Sequence, residues 1–264
     1  MINVELGWVM RIRSEFLALI TLLALTPAAS GQGASQQAPA TSAAMPVVLE
    51  LFTSQGCSSC PAADALLKTY AERPGVIALS LSVDYWDHLG WKDTLASPKH
   101  ALRQRAYAKA LGSGNVYTPQ LVVDGAAETI GSNKALIEKA IGRTSVARKS
   151  GVAVAAKSDG KRVMIEIAGG TTEPAGEHAG VSGTIWLAIV SPQVDEKIKH
   201  GENRGRMLSY YNVVRELTAV GMWAGKPMTI ELPAGSLMEA GNRCAILLQS
   251  GEGGRIVGAA WLSP

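Results

Sequence analysis

Two cysteines separated by two residues are the part of the sequence best suited to chemistry. Cys57, Cys60 and Pro61 form a C-x-x-C-P motif. The apolar run at residues 47–52 predicts a buried strand before the motif, and the spacing of apolar residues from Pro61 onward predicts a helix after it. A first helical turn carries unpaired N–H groups and a partial positive charge, which favour thiolate over thiol. The motif therefore predicts a nucleophile at Cys57 and a resolving thiol at Cys60.

The same motif, placed between a strand and a helix, resembles the thioredoxin fold. Together with the later string YTPQLVVDG at residues 117–125, it resembles a bacterial family of secreted thioredoxin-like proteins whose function is unassigned. The resemblance implies a thioredoxin-like α/β domain over residues 46–143. It also implies that Pro119 is a cis-proline beside the cysteines and that Thr118, just before it, offers its backbone to an extended substrate.

An aromatic loop follows the second predicted strand, which covers residues 76–83. The loop, residues 84–91, reads DYWDHLGW. Ligands gather at strand ends in open α/β sheets, so Trp86 is a candidate substrate-binding residue in the wall of a cleft. An aromatic cluster that merely closes the domain explains the same residues equally well.

The pattern changes after residue 143. Short apolar segments, among them residues 184–190 and 212–217, are separated by Gly and Pro and predict an all-β, sandwich-like domain over residues 144–264. The charged, glycine-rich segment 199–206 either binds an anionic group, touches the first domain near the cysteines, or is a solvated hairpin loop. Cys244 lies in an apolar run and is predicted to be a buried free thiol, which leaves Cys57 and Cys60 as the pair.

The N-terminus has the features of a targeting segment. Arg11 and Arg13 precede a ten-residue apolar stretch and a run of small residues. This pattern predicts a signal peptide at residues 1–30, followed by a flexible tether at residues 31–45. Export to the periplasm or outside the cell, where disulfides persist, follows from it, with no membrane span in the mature chain. An uncleaved membrane anchor is the alternative.

Composition narrows the possible functions. The formal net charge is +3, and the 25 basic residues are scattered, which is not the pattern of a nucleic-acid-binding surface. The leading hypothesis is a thiol–disulfide oxidoreductase without a cofactor or metal, acting on a protein or small thiol or disulfide and served by an unidentified periplasmic redox partner. The alternatives are a Cu(I)- or Zn-binding protein that uses the same cysteines, and a non-catalytic binding module with a structural disulfide.

Overall fold

The first part of the chain alternates strands with helices. The computed structural model describes residues 45–169, 182–238 and 241–263. The elements of the first part, in chain order, are β1 (Val47–Thr53), α1 (Cys60–Ala71), β2 (Val76–Ser82), α2 (Pro98–Leu111), β3 (Gln120–Val123), β4 (Ala127–Ile130) and α3 (Lys134–Lys149). A short 3-10 turn, Asp87–Leu89, lies in the aromatic loop between β2 and α2.

The described residues after α3 are mostly strands. They form β5 (Val154–Ser158), β6 (Arg162–Ile167), β7 (Gly183–Lys197), β8 (Met207–Trp223), β9 (Met228–Pro233), β10 (Arg243–Ser250) and β11 (Ile256–Trp261), with a 3-10 turn at Gly235–Met238. Strands β7 and β8 have 15 and 17 residues, far more than the predicted segments 184–190 and 212–217. They are longer because they pair with each other as one long hairpin, in which the outer half of β7 carries polar and charged residues.

The strands form one large sheet and one small sheet. The large sheet has eight strands in the order β11-β10-β7-β8-β2-β1-β3-β4, and the small sheet has the order β5-β6-β9. The chain is therefore a mixed α/β protein with a large, mostly-β sheet. Strands from both sides of the predicted domain boundary share this sheet, because β8 runs parallel to β2 at Ser80 and Val213. The Asn212 side chain donates a 2.9 Å hydrogen bond to the Ala78 carbonyl at this junction.

Helix α3 crosses the predicted boundary at residue 143. The helix continues to Lys149, six residues further than that boundary. It does so because its last turns have partners: Thr144 is buried, and Arg148 forms an ion pair with the buried carboxylate of Asp124, at the turn between β3 and β4. Residues 144–149 are thus helical rather than part of an all-β segment.

The helix starts agree with the sequence in one case and differ in another. The pair Ser97-Pro98 predicts a helix start, and Ser97 does cap α2: its hydroxyl accepts a 3.3 Å hydrogen bond from the Lys99 N–H. The sequence also predicts Ser132 as the cap of α3, but Asn133 caps it instead, by accepting a 3.1 Å hydrogen bond from the Leu136 N–H. Both Ser and Asn suit this position, so local sequence does not decide between neighbours.

Both faces of the large sheet are covered. In β1, Leu49 and Leu51 pack against α1 and α3, whereas Val48 and Phe52 pack on the opposite face against α2. This is the two-residue alternation of a strand that is buried on both sides. Further along the sheet, β7 and β10 pack against the small sheet. The side chains of this second core include Val163, Ile165, Ile167, Ile185, Leu187, Ile246 and Leu248.

The N-terminal predictions fall almost entirely outside the described residues. These are the signal peptide and the whole tether except Met45, which packs against the core that contains Val48. Over residues 45–169, 182–238 and 241–263, no helix has both the length and the apolar character needed to cross a membrane.

Candidate functional site

Cys57 and Cys60 form a disulfide at the junction between β1 and α1. The helix begins at Cys60, one residue earlier than predicted. The turn before it is held by backbone hydrogen bonds from the Cys57 N–H to the Ser54 carbonyl and from the Cys60 N–H to the Cys57 carbonyl, both 3.2 Å long. The hydroxyl of Ser59 lies 3.4 Å from the Cys57 sulfur. The two sulfurs are therefore at the positive end of α1, with a hydroxyl beside the first of them.

The disulfide is buried. Cys57 is 1% exposed and Cys60 is 0% exposed, although Ser58 and Ser59 between them face solvent. Residues 198–206, which join β7 to β8 and are called the hairpin tip below, contact the backbone of the cysteine loop. An external thiol therefore has no direct route to either sulfur in this conformation.

The hairpin tip binds the backbone of the cysteine loop. The side-chain amide of Asn203 donates hydrogen bonds of 2.9 Å to the carbonyl oxygens of both Gln55 and Cys57. The carboxylate of Glu202 accepts a 3.1 Å hydrogen bond from the Ser58 N–H. The charged segment singled out in the sequence thus touches the cysteine loop, which was one of its three interpretations.

The aromatic loop contacts both the cysteine loop and the hairpin tip, since the rings of Trp91 and His200 lie 6.0 Å apart. Trp86 donates a 2.8 Å hydrogen bond through Nε1 to the hydroxyl of Thr118. Its side chain also packs on Gly56, where an added Cβ would lie only 3.1 Å from the Trp86 Cβ. The structure therefore brings Trp86 and Thr118 together beside Cys57, and a larger residue than Gly at position 56 would push Trp86 away.

Pro119 lies next to α1. The Thr118–Pro119 peptide bond is cis, as the family resemblance implied. A Cβ added at Gly131 would lie 3.4 Å from the Pro119 Cβ and 3.3 Å from the Cβ of Ala63, so these two side chains flank the same glycine. Every site residue selected from the sequence thus lies around the start of α1.

A buried carboxyl group, which was not selected from the sequence, lies one turn after Cys60. Asp64 is 4% exposed, and neither of its oxygens has a hydrogen-bond partner of ordinary geometry among the described residues. Burial raises the pKa of Asp64 to about 8; the nearby Thr53 hydroxyl acts against this rise, and the negative charge of Asp93 adds to it. The available signal was an acidic residue on the apolar face of α1, four residues after a cysteine.

Asp93 is a second buried carboxyl group near the site. Burial raises its pKa to about 6, against the effect of two backbone hydrogen bonds. These bonds come from the N–H groups of Gln55 and Leu95, each at 2.8 Å. Trp91 also holds the Gln55 side chain, through a 2.7 Å hydrogen bond. Asp93 and Trp91 therefore hold Gln55 in place, and the carbonyl oxygen of Gln55 accepts a hydrogen bond from Asn203.

The third cysteine is separate from this site. Cys244 forms no disulfide within the described part of the chain and is buried, as predicted. Its sulfur lies 3.3 Å from the Leu237 carbonyl oxygen, and burial raises the pKa of the thiol. Among residues 45–169, 182–238 and 241–263, no cluster of three or more His, Cys, Asp or Glu side chains is arranged to hold a metal ion.

Comparison with known proteins places the chain in a family. The family model described as "Protein of unknown function (DUF1223)" matches residues 48–249, and the chain belongs to this family. No curated protein matches it. The thioredoxin-like part of the sequence resemblance is not addressed by the family match and stays a prediction.

Two solved structures are similar to the chain. The X-ray structure of a structural-genomics target from Agrobacterium tumefaciens is 34% identical, with a TM-score of 0.71 over 83% of this chain and 95% of that chain. The structure of HBP35 of Porphyromonas gingivalis is 13% identical, with a TM-score of 0.54 over 82% of this chain and 74% of that one. The second likeness is one of fold alone.

Proposed function

We propose that this member of the DUF1223 family is a thiol–disulfide oxidoreductase that works through Cys57 and Cys60. The observation that carries the proposal is the disulfide between these residues at the first turn of α1. Free N–H groups and the helix dipole at this position stabilise a thiolate on reduction, and a thiolate is the form that attacks disulfides.

The thioredoxin-like description of residues 46–143 is part of this proposal. Parallel strands β1 and β2 joined by α1, followed by the antiparallel pair β3 and β4 beside β1, support it. So does the position of the helices, with α1 and α3 on one face of the sheet and α2 on the other.

The exchange proceeds in two steps. The Cys57 thiolate attacks a substrate disulfide, which forms a mixed disulfide and releases one substrate sulfur as a thiolate. Cys60 then loses its proton and attacks the Cys57 sulfur, which releases the second substrate thiolate and closes the Cys57–Cys60 bond. The substrate gains two electrons and the protein loses two. The reverse sequence oxidises a substrate dithiol.

Asp64 is the proposed acceptor of the Cys60 proton. It lies one helical turn further along the same buried face of α1. Its pKa of about 8 is close to the reference value of about 8.5 for a thiol, so a proton moves from Cys60 to the ionised form of Asp64 at little cost. An ordinary carboxyl group, with a pKa near 4, would be too weak a base for this step.

The surroundings of the sulfurs complete the proposed mechanism. Thr118 and Pro119 offer backbone to the substrate, and Trp86 holds the Thr118 side chain in place. We place the protein in the periplasm or outside the cell, where a disulfide persists and a redox partner can renew it.

A second candidate function is a binding module whose disulfide is structural. The near-complete burial of both cysteines favours it, because structural disulfides are shielded from thiols whereas catalytic ones must be reached. In this case the disulfide fixes the loop that the hairpin tip packs on, and takes no part in exchange.

Trapping with single cysteine variants tests the proposal. Cys60→Ser should accumulate mixed disulfides with glutathione, since Cys57 attacks and no resolving thiol follows; Cys57→Ser should trap few. Cys244→Ser is the matched control and should leave equilibration of the dithiol with a glutathione redox buffer unchanged. A wild-type disulfide that does not equilibrate with the buffer over hours would reject the oxidoreductase in favour of the structural disulfide.

A further inference from the structure

The hairpin tip makes hydrogen bonds to the backbone on both sides of Cys57. On the N-terminal side of Cys57, the Gln55 carbonyl accepts a hydrogen bond from the Asn203 side-chain amide. The carbonyl of Cys57 accepts a second one from the same amide. On the C-terminal side, the N–H of Ser58 donates to Glu202. These three contacts hold the tip against the backbone on both sides of Cys57.

We propose that the hairpin tip is a gate that limits the dithiol to small thiol and disulfide substrates, with Asn203 as its latch. The inference rests on the proposed exchange chemistry and names the substrate class that the site accepts. A small thiol needs only a narrow opening beside Cys57. A polypeptide must displace the part of the tip that carries Glu202 and Asn203 from the cysteine loop.

The contacts of Asn203 identify it as the latch. Its side chain is 1% exposed, and both hydrogens of its amide group point to backbone carbonyls of the cysteine loop. Its own oxygen accepts a 2.9 Å hydrogen bond from Arg206, which fixes the orientation of the amide. The neighbouring side chains of Glu202 and Arg204 are exposed, so Asn203 is the buried anchor of this turn.

The tip is built as a separate unit at the end of a long hairpin. Its backbone closes on itself through hydrogen bonds from the Gly205 N–H to the Ile198 carbonyl (2.8 Å) and from the Ile198 N–H to the Arg206 carbonyl (3.0 Å). Gly201 and Gly205 have φ angles of 75° and 85°, a region that favours glycine. Ile198 holds the base of the tip in a small core with Leu95 and Tyr210, and the ring of His200 lies 6.0 Å from that of Trp91. Opening therefore breaks the contacts of Asn203 and Glu202 with the cysteine loop and the contact of His200 with Trp91, while β7 and β8 stay paired.

The latch sets the size of the expected effect. Asn203→Ala removes two hydrogen bonds to the cysteine loop, which corresponds to about a tenfold to hundredfold rise in the open population. Arg204→Ala is the matched control, because it changes an exposed residue of the same tip. Both variants keep Cys57, Cys60 and Asp64 unchanged.

The experiment compares two reductants of the Cys57–Cys60 disulfide. Dithiothreitol is the small probe, and reduced, unfolded ribonuclease A is the polypeptide probe. In each case a reductant thiolate attacks the Cys57 sulfur and Cys60 departs as a thiolate; a second reductant thiol then resolves the mixed disulfide, so the reductant is oxidised and the protein reduced. Rates are measured by acid quench and alkylation, and are compared per mole of thiolate.

The gate predicts a specific pattern of rates. The wild-type protein should react at least tenfold faster with dithiothreitol than with ribonuclease A. Asn203→Ala should raise the ribonuclease A rate at least tenfold and the dithiothreitol rate less than threefold, whereas Arg204→Ala should leave both within twofold. Equal wild-type rates, or a ratio that Asn203→Ala does not change, would overturn the gate.

Hydrogen exchange on the wild-type protein tests the same idea without a variant. The amide of Ser58, which donates to Glu202, should exchange faster than the paired amides of β7 and β8. Exchange of this amide only together with the strand amides would mean that the tip does not open, and would refute the gate. If the tip opens but the disulfide does not equilibrate with glutathione, the movement of the tip stands, whereas the oxidoreductase and its small-thiol substrate class are both rejected.

Discussion

Replacing Asp64 with Asn should remove a loss of stability that the protein suffers as the pH rises. Burial raises the pKa of Asp64 to about 8 in the folded protein, whereas an aspartate in an unfolded chain has a pKa of about 3.9. Between these values, the folded protein holds a proton that the unfolded chain has released. The contribution of Asp64 to stability is therefore complete below about pH 4 and is lost progressively as the pH approaches 8.

The size of the effect follows from one proton. Each pH unit inside the window changes the free energy of unfolding by about 1.4 kcal/mol per proton bound. The difference in stability between Asp64→Asn and the wild type should therefore shift by about 3 kcal/mol between pH 5 and pH 7, in favour of the variant. Asp93 titrates in both proteins, so its contribution largely cancels from the difference in stability. A buried amide without a partner adds a constant, which does not depend on pH.

Urea unfolding of the disulfide form at pH 5, 6 and 7, followed by tryptophan fluorescence, measures this difference. Glu72→Gln is the control, since its side chain at the end of α1 is 68% exposed; its difference from the wild type should stay within about 0.5 kcal/mol. If the curve for Asp64→Asn is equally flat, Asp64 is ionised in the folded protein. The role of Asp64 as acceptor of the Cys60 proton would then be refuted.

Two further substitutions test contacts that hold the site in place. In the wild type, Glu50 and the buried guanidinium of Arg103 form an ion pair at 2.6 Å. Glu50→Gln removes this counter-charge and should lower the free energy of unfolding in urea by about 3–5 kcal/mol. Glu138→Gln, in an ion pair exposed to solvent, should cost less than about 1 kcal/mol, and equal losses would contradict the argument. Trp86→Phe keeps an aromatic ring but loses the hydrogen bond to Thr118, which should lower stability by about 1 kcal/mol. It should also lower the yield of mixed disulfide that Cys60→Ser traps; an unchanged yield would exclude Trp86 from the substrate site.

Local features of the sequence were sufficient where neighbouring residues decide the structure. The apolar run before Cys57, Pro61 after the motif, and Ser97 before Pro98 each have a physical effect within one turn of the chain. They predicted β1, α1 and α2 closely. The cis bond at Pro119 came from the family resemblance, because adjacent residues do not determine it.

Long-range pairing was beyond the sequence patterns. The apolar alternation around Asn212 predicted a strand but not its partner, and the partner is β2, far earlier in the chain. The hairpin tip has the composition of a solvated loop, and most of it is exposed; only Ile198, at its base, and Asn203 are buried. Asp64 was missed because a carboxyl group on the buried face of α1 contradicts the helix pattern. Such a local exception is often a functional residue.

The sequence separation between the cysteine loop and the hairpin tip has a consequence for the order of folding. Asn203 is 148 residues from Gln55 and 146 residues from Cys57, and contacts of such high sequence separation form late in folding. A chain that grows from its N-terminus presents both thiols long before residues 198–206 exist. Oxidation of the pair thus has an interval in which to occur before Asn203 and Glu202 bind the cysteine loop. In the finished chain, by contrast, these contacts surround a bond that has already formed.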